Sequence, residues 1–146
     1  MAVQSAYRDA QSTNESSRSV KVYKDLNLNF TKHPVKGTLT PLTDVAAVKR
    51  SVRNLVMYNH YEKPFHPEIG SGIRAMLFEN MTPFISNSLR RMIEDTITNF
   101  EPRVRLAEVA VNPNFDDNKY EVTVEFYIEN SPSELVDMSF NLERIR

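Results

Sequence analysis

The chain holds few groups that could do chemistry, and their spacing limits what that chemistry is. His60, Glu62, His66 and Glu68 form two His-x-Glu pairs about a turn-rich stretch. Imidazole and carboxylate can share a divalent metal, but this spacing matches no established ligand motif. The surface reading, in which these polar groups face water or a partner, is the stronger one, and no metal or other cofactor is assigned. Glu79, Glu94, Asp95 and Glu101 are the acids near the helical segments. Two carboxylates across a sugar ring would suffice for glycoside hydrolysis. Spacing alone puts no two of them there, however, and the chain has no tryptophan to serve as a carbohydrate platform. With glycine only at Gly37, Gly70 and Gly72, there is neither a phosphate-cradling loop nor a Gly-x-Ser-x-Gly elbow. No catalytic residue is assigned.

Two other features are more specific. Glu101-Pro102-Arg103 sets an acid and a bidentate donor on either side of a rigid residue, where a helical pattern gives way to a strand pattern. Such a corner can clamp a partner's backbone or charged side chains, or it can close on itself as an internal salt link. The other is Lys63-Pro-Phe-His-Pro-Glu-Ile-Gly70, in which two prolines flank Phe65 and His66 and Gly72 follows just beyond. Neither helix nor strand patterning requires such an ordered loop. Pro64, Phe65, His66, Pro67, Glu68 and Gly70 are therefore candidates to face a partner.

Positioning these groups falls to a small α+β fold. A chain of 146 residues fits one domain, or one domain with an arm. Lys and Arg number 18 against 19 Asp and Glu, so no overall basicity favours nucleic acid, and protein is the expected partner. The absence of cysteine rules out disulfides, thiolate metal sites and a cysteine nucleophile, in keeping with a reducing compartment. The first twenty residues lack the apolar segment of a signal peptide, and no run is apolar enough to span a membrane.

Residues 1–22 are rich in Ser, Asn, Gln and charge, which predicts an extended or disordered arm with a reach of roughly 60 Å. Residues 23–146 form the expected domain. Extended pieces and turns fit residues 20–40, where Val20, Val22, Leu26, Leu28 and Phe30 alternate. Thr43 or Asp44 can cap a helix running to about Tyr58, with Val45, Val48, Val52, Leu55 and Val56 as its apolar stripe. Lys49, Arg50 and Arg53 lie off that stripe, as a solvated face or a surface for an acidic partner. A short helix over Ile73 to Phe78 and a longer one from about Ser86 to Asn99 follow, the latter with Leu89, Met92, Ile93, Ile97 and Phe100 on one side.

Pro102 then ends the helical run and strands begin. Over residues 104–111 the apolar positions change phase at Leu106-Ala107, as a β-bulge would make them do. Turn chemistry at Asn112-Pro-Asn and Asp116-Asp-Asn118 precedes a strand over Lys119 to Glu129, with Tyr120, Val122, Val124, Phe126 and Ile128 on one face. Ser131-Pro-Ser predicts a further turn, and Val136, Met138, Phe140 and Leu142 a last strand. The expected architecture is two main helices packed on a mainly antiparallel sheet of three or four strands, with a flexible N-terminal arm. An exposed edge of that sheet invites a strand from another chain, unless the arm or residues 20–40 cover it.

Pro64-Phe-His-Pro-Glu-Ile-Gly70, Leu77-Phe-Glu-Asn-Met-Thr-Pro83, Asn99-Phe-Glu-Pro-Arg103 and Asp116-Asp117 together resemble the baseplate wedge protein of contractile phage tails, the sheath-initiator family, sometimes labelled lysozyme-like. The resemblance runs in order from about Tyr23-Lys-Asp-Leu26 to the C-terminus. It implies a non-enzymatic structural protein of the virion tail baseplate, assembled in the host cytoplasm. It further implies that Glu101, Pro102 and Arg103 grip the helical core bundle of other wedge proteins, and that sheath subunits dock on the sheet by strand addition. Tail tube or hub proteins are further candidate partners; nucleic acid and membrane are not. Two alternatives stay open at this point: a small peptidoglycan hydrolase, and a baseplate module of a related injection or secretion system.

Overall fold

A computed structural model of the chain describes residues 23–144, Pro132 by its backbone only. The expected arm over residues 1–22 lies outside the described residues, as do Val20 and Val22. Two short strands, β1 (Lys24–Asp25) and β2 (Leu42–Thr43), pair antiparallel. Between them the chain makes extended pieces and turns, with an isolated bridge from Lys32 to Leu39. Helices α1 (Asp44–Met57), α2 (Ile73–Met76) and α3 (Pro83–Phe100) precede β3 (Val104–Asn114), β4 (Lys119–Ile128) and β5 (Ser131–Glu143). The last three strands form an antiparallel sheet in the order β3-β4-β5. The fold is α+β, as the patterning predicts.

Each element forms for a local reason. The apolar stripe of α1 buries Val48, Val52, Leu55 and Val56. Thr43 stands at its N-cap but makes no side-chain capping bond there. Asp44 ties the helix start to the chain just before β1: its Oδ1 accepts the Tyr23 amide at 3.4 Å, and its own amide donates to the Tyr23 carbonyl at 2.9 Å. The long helix begins three residues earlier than the pattern alone suggests. Pro83 occupies a first-turn position, where its missing N–H leaves no bond unmade, and Thr82 Oγ1 accepts from the Ile85 amide at 3.3 Å. The helix ends at Phe100, with Glu101 at the C-cap donating its amide to Ile97 O at 2.9 Å.

The sheet confirms the expected bulge and corrects two turns. Val104 pairs with Ile128 and Leu106 with Phe126, then the register jumps past Ala107 so that Glu108 faces Glu125 and Val109 faces Val124. The extra residue keeps Val104, Leu106, Val109 and Val111 packed on the core despite the phase change. Asn112-Pro-Asn belongs to β3 and is no turn, since Pro113 pairs with Tyr120 on a strand at the sheet's edge, where a missing donor is tolerated. Ser131-Pro-Ser is likewise no turn. The reversal is made at Glu129-Asn130, and residues 132–134 bulge out between the Ile128–Ser131 and Tyr127–Leu135 pairs.

One cluster gathers Val48, Val52 and Val56 of α1, Leu89, Ile93 and Ile97 of α3, and the inward residues of the sheet from Tyr120 to Leu142. Tyr120, Val122, Val124 and Phe126 of the central strand are fully buried. Among the described residues, neither β3 nor β5 has a second strand partner, and residues 23–40 do not cover either outer edge by pairing. No helix among the described residues is long and apolar enough to cross a membrane.

Candidate functional site: a charged corner and an exposed loop

The Glu101-Pro102-Arg103 corner closes on itself. Arg103 Nε donates to Glu101 Oε1 at 2.7 Å and Nη2 donates to Oε2 at 2.9 Å, a bidentate fork across the proline. Ser51 of α1 donates its hydroxyl to Oε2 as well. Glu101 is 4% exposed, the one buried carboxylate among the described residues. Burial pushes its carboxyl up, but the bonds from Arg103 and Ser51 outweigh that and hold it below the usual carboxylate range. The guanidinium is held more firmly protonated in return.

Its free nitrogen reaches elsewhere. Arg103 Nη1 donates to Asp25 Oδ2 at 3.2 Å and Oδ1 at 3.3 Å, and the guanidinium stands 5.5 Å from the centre of the Tyr23 ring. Tyr23 is itself fixed, its hydroxyl accepting from Asn130 at 2.7 Å at the β4–β5 turn. The backbone seals the arrangement, with the Glu129 amide on Arg103 O at 3.0 Å. Thus the first described residues, α1, the end of α3 and the sheet meet at Arg103. Of the two readings of this corner, the internal salt link is what the structure contains, and Pro102 stands exposed at its apex. Sequence reasoning missed Tyr23, Asp25 and Ser51 as its partners. The one signal was Tyr23-Lys-Asp-Leu26, where the family resemblance begins.

The Pro-rich loop is ordered from within and exposed. Tyr61 N donates to Pro67 O at 3.0 Å, Ser71 N to Tyr58 O at 2.9 Å, and Ser71 Oγ to Val56 O at 2.6 Å. Gly70 is required where it stands. A Cβ there would lie 2.6 Å from the Asn59 carbonyl carbon, backbone against backbone. Phe65 is 97% exposed and Tyr61 85%, both at positive φ, with Pro64, His66, Pro67 and Glu68 also exposed. Two outward aromatics on a pinned loop suit a protein contact. The run Leu77 to Pro83 has a structural use: Arg144, just after β5, donates to Glu79 O at 3.1 Å and Asn80 Oδ1 at 2.8 Å.

The metal constellation does not assemble among the described residues. His66 Nδ1 lies 3.1 Å from Glu68, but Glu62 is engaged by the amide and side chain of Asn59, and no group of three or more possible ligands forms among the described residues. Glu79 and Asp95 are exposed, and Glu94 is paired with Arg90 at 2.8 Å. Glu101 is held ionised, the opposite of what a general acid needs.

Comparison with known proteins agrees with this architecture. Residues 43–133 match the family described as baseplate wedge protein gp25. The curated baseplate wedge protein gp25 of Enterobacteria phage T4 is 31% identical over 122 residues, 84% of this chain and 92% of that protein. Similar folds occur in a putative tail lysozyme from Geobacter sulfurreducens, with TM-score 0.63 at 15% identity over 68% of this chain and 89% of that one. A chain of the anti-feeding prophage baseplate gives TM-score 0.57 at 22% identity over 85% and 87%. One in the type VI secretion baseplate complex gives 0.58 at 13% over 68% and 92%. The match across the helices and most of the sheet, together with the phage relative, means that this chain belongs to the baseplate wedge protein gp25 family.

Proposed function

We propose that the protein is a non-enzymatic component of a contractile-tail baseplate, holding the wedge together and offering the first docking sheet for the tail sheath. Family membership carries this reading. The corner supplies its wedge contact. Glu101 and Pro102 fix the direction of Arg103, whose Nη1 edge is met only by the longer contact to Asp25. A carboxylate or helix C-terminus of the wedge core bundle takes that edge, alongside or in place of Asp25. The exposed loop Pro64 to Gly70, with Phe65 at its tip, adds an apolar contact nearby in the wedge or with tube and hub proteins. The outer edges of β3 and β5, unpaired among the described residues, suit strand addition by sheath subunits.

Mixing the pure chain with its cognate wedge proteins tests this directly. Arg103→Lys keeps the charge but loses the fork, and should weaken wedge incorporation while the chain stays folded. Proline at a β5 position whose amide points away from β4 should block sheath growth on baseplates that still form. Undiminished incorporation and sheaths of normal length in these variants would refute the two contacts respectively. The rival hydrolase reading requires cell-wall clearing by the pure chain, lost in Glu79→Gln or Glu101→Gln, and no clearing is expected.

A further inference from the structure

A groove runs between α1 and the side of β5 that has no strand partner among the described residues, lined by Leu42, Ala46, Lys49, Arg50, Arg53, Met138 and Ser139. Three cations and no acid line it, in a chain whose formal net charge is −1. None of the three forms an ion pair among the described residues. Arg50 reaches only the Asn29 side-chain oxygen, at 2.9 Å, and its Nε is buried with no partner. The other face of β5 is mainly acidic, with Asp137 beside Glu125 of β4 and Glu143 beside Lys119, the one cation there, which Asp117 and Glu121 already hold at 2.8 and 3.7 Å. A strand added to β5 therefore meets cations on one face and acids on the other.

We propose that this groove receives an extended protein segment with glutamates on its inward face and basic residues on its outward face. Its main chain pairs with β5, the glutamate stems lie against Met138 and Leu42, and their carboxylates meet Lys49 and Arg53. The proposal rests on the strand-addition reading and deepens it, naming β5 as the receiving edge and charge alternation as the determinant of which strand fits. Like charges in the wrong register would be repelled on both faces at once, so the pattern selects register as well as partner.

Two short blocked synthetic peptides test it on the full chain, one alternating Glu and Lys about apolar residues in the stated register, the other with the charges exchanged. The first should bind about tenfold tighter, with salt-sensitive affinity and shifted NMR amide signals in β5 and α1. In Lys49→Gln/Arg53→Gln the preference should shrink to about threefold, and in Lys49→Glu/Arg53→Glu it should shrink further, because the acidic face is unchanged. Equal binding of both peptides to β5 would overturn the charge pattern and leave strand addition standing. No shift in β5 with either peptide, in a chain that remains folded, would overturn both.

Discussion

Arg103 clamps Glu101 across the intervening proline with two parallel hydrogen bonds of 2.7 and 2.9 Å, so the end of the long helix and the start of the sheet are locked by one charged fork. Ser51 and Asp25 complete the lock from α1 and β1. The corner is thus preorganised by contacts within the chain, which would lower the ordering cost of the wedge contact proposed for it.

Truncating one partner of this pair exposes its worth. Arg103→Ala leaves a buried carboxylate without its cation and should lower unfolding stability by about 3 kcal/mol, read from urea midpoints. The double change Glu101→Leu/Arg103→Met should recover most of that loss, because an apolar pair removes the uncompensated charge.

The same pair predicts an acid response. Because the folded carboxyl of Glu101 titrates below its ordinary value of about 4.5, its stabilisation is complete above that pH and is lost as pH falls through the folded value. Denaturant midpoints followed into acid should fall less steeply in Glu101→Gln than in the parent chain. Parallel slopes would mean that Glu101 does not contribute.

The loop separates stability from contact. Gly70→Ala forces a Cβ into the Asn59 backbone at a φ of +152°, and should destabilise by about 2 kcal/mol in thermal unfolding. Phe65→Ser removes a ring that is 97% exposed, so it should leave the melting temperature in place while reducing capture of wedge partners.

Deletion of Ala107 tests the bulge. Without it, Val104, Leu106 and Val109 fall into unbroken alternation, so the strand keeps its inward face. Deleting Ala110 instead turns the preceding residues over. The Ala110 deletion should lower the melting temperature far more than the Ala107 deletion.

How far the residues reveal this fold depends on the range of the interaction involved. The alternation of Tyr120 to Ile128 and the spacing of Leu89, Ile93 and Ile97 are local patterns, and both gave the right faces; even the phase slip at Ala107 is local. Ser131-Pro132-Ser133 and Asn112-Pro113-Asn114 read as turns because their residue types favour them, but edge pairing and a bulge absorb these prolines. The partners of Arg103 were hidden for another reason. Asp25 lies 78 positions away and Ser51 lies 50 from Glu101, a separation that only the folded chain closes.

The most direct test of the whole account is a density map of the assembled cognate baseplate. It should show Arg103 against an acidic group or helix end of the wedge core, and a sheath strand laid along β5 beneath Lys49 and Arg53. A map in which the corner faces solvent and β5 stays unpaired in sheathed tails would contradict it.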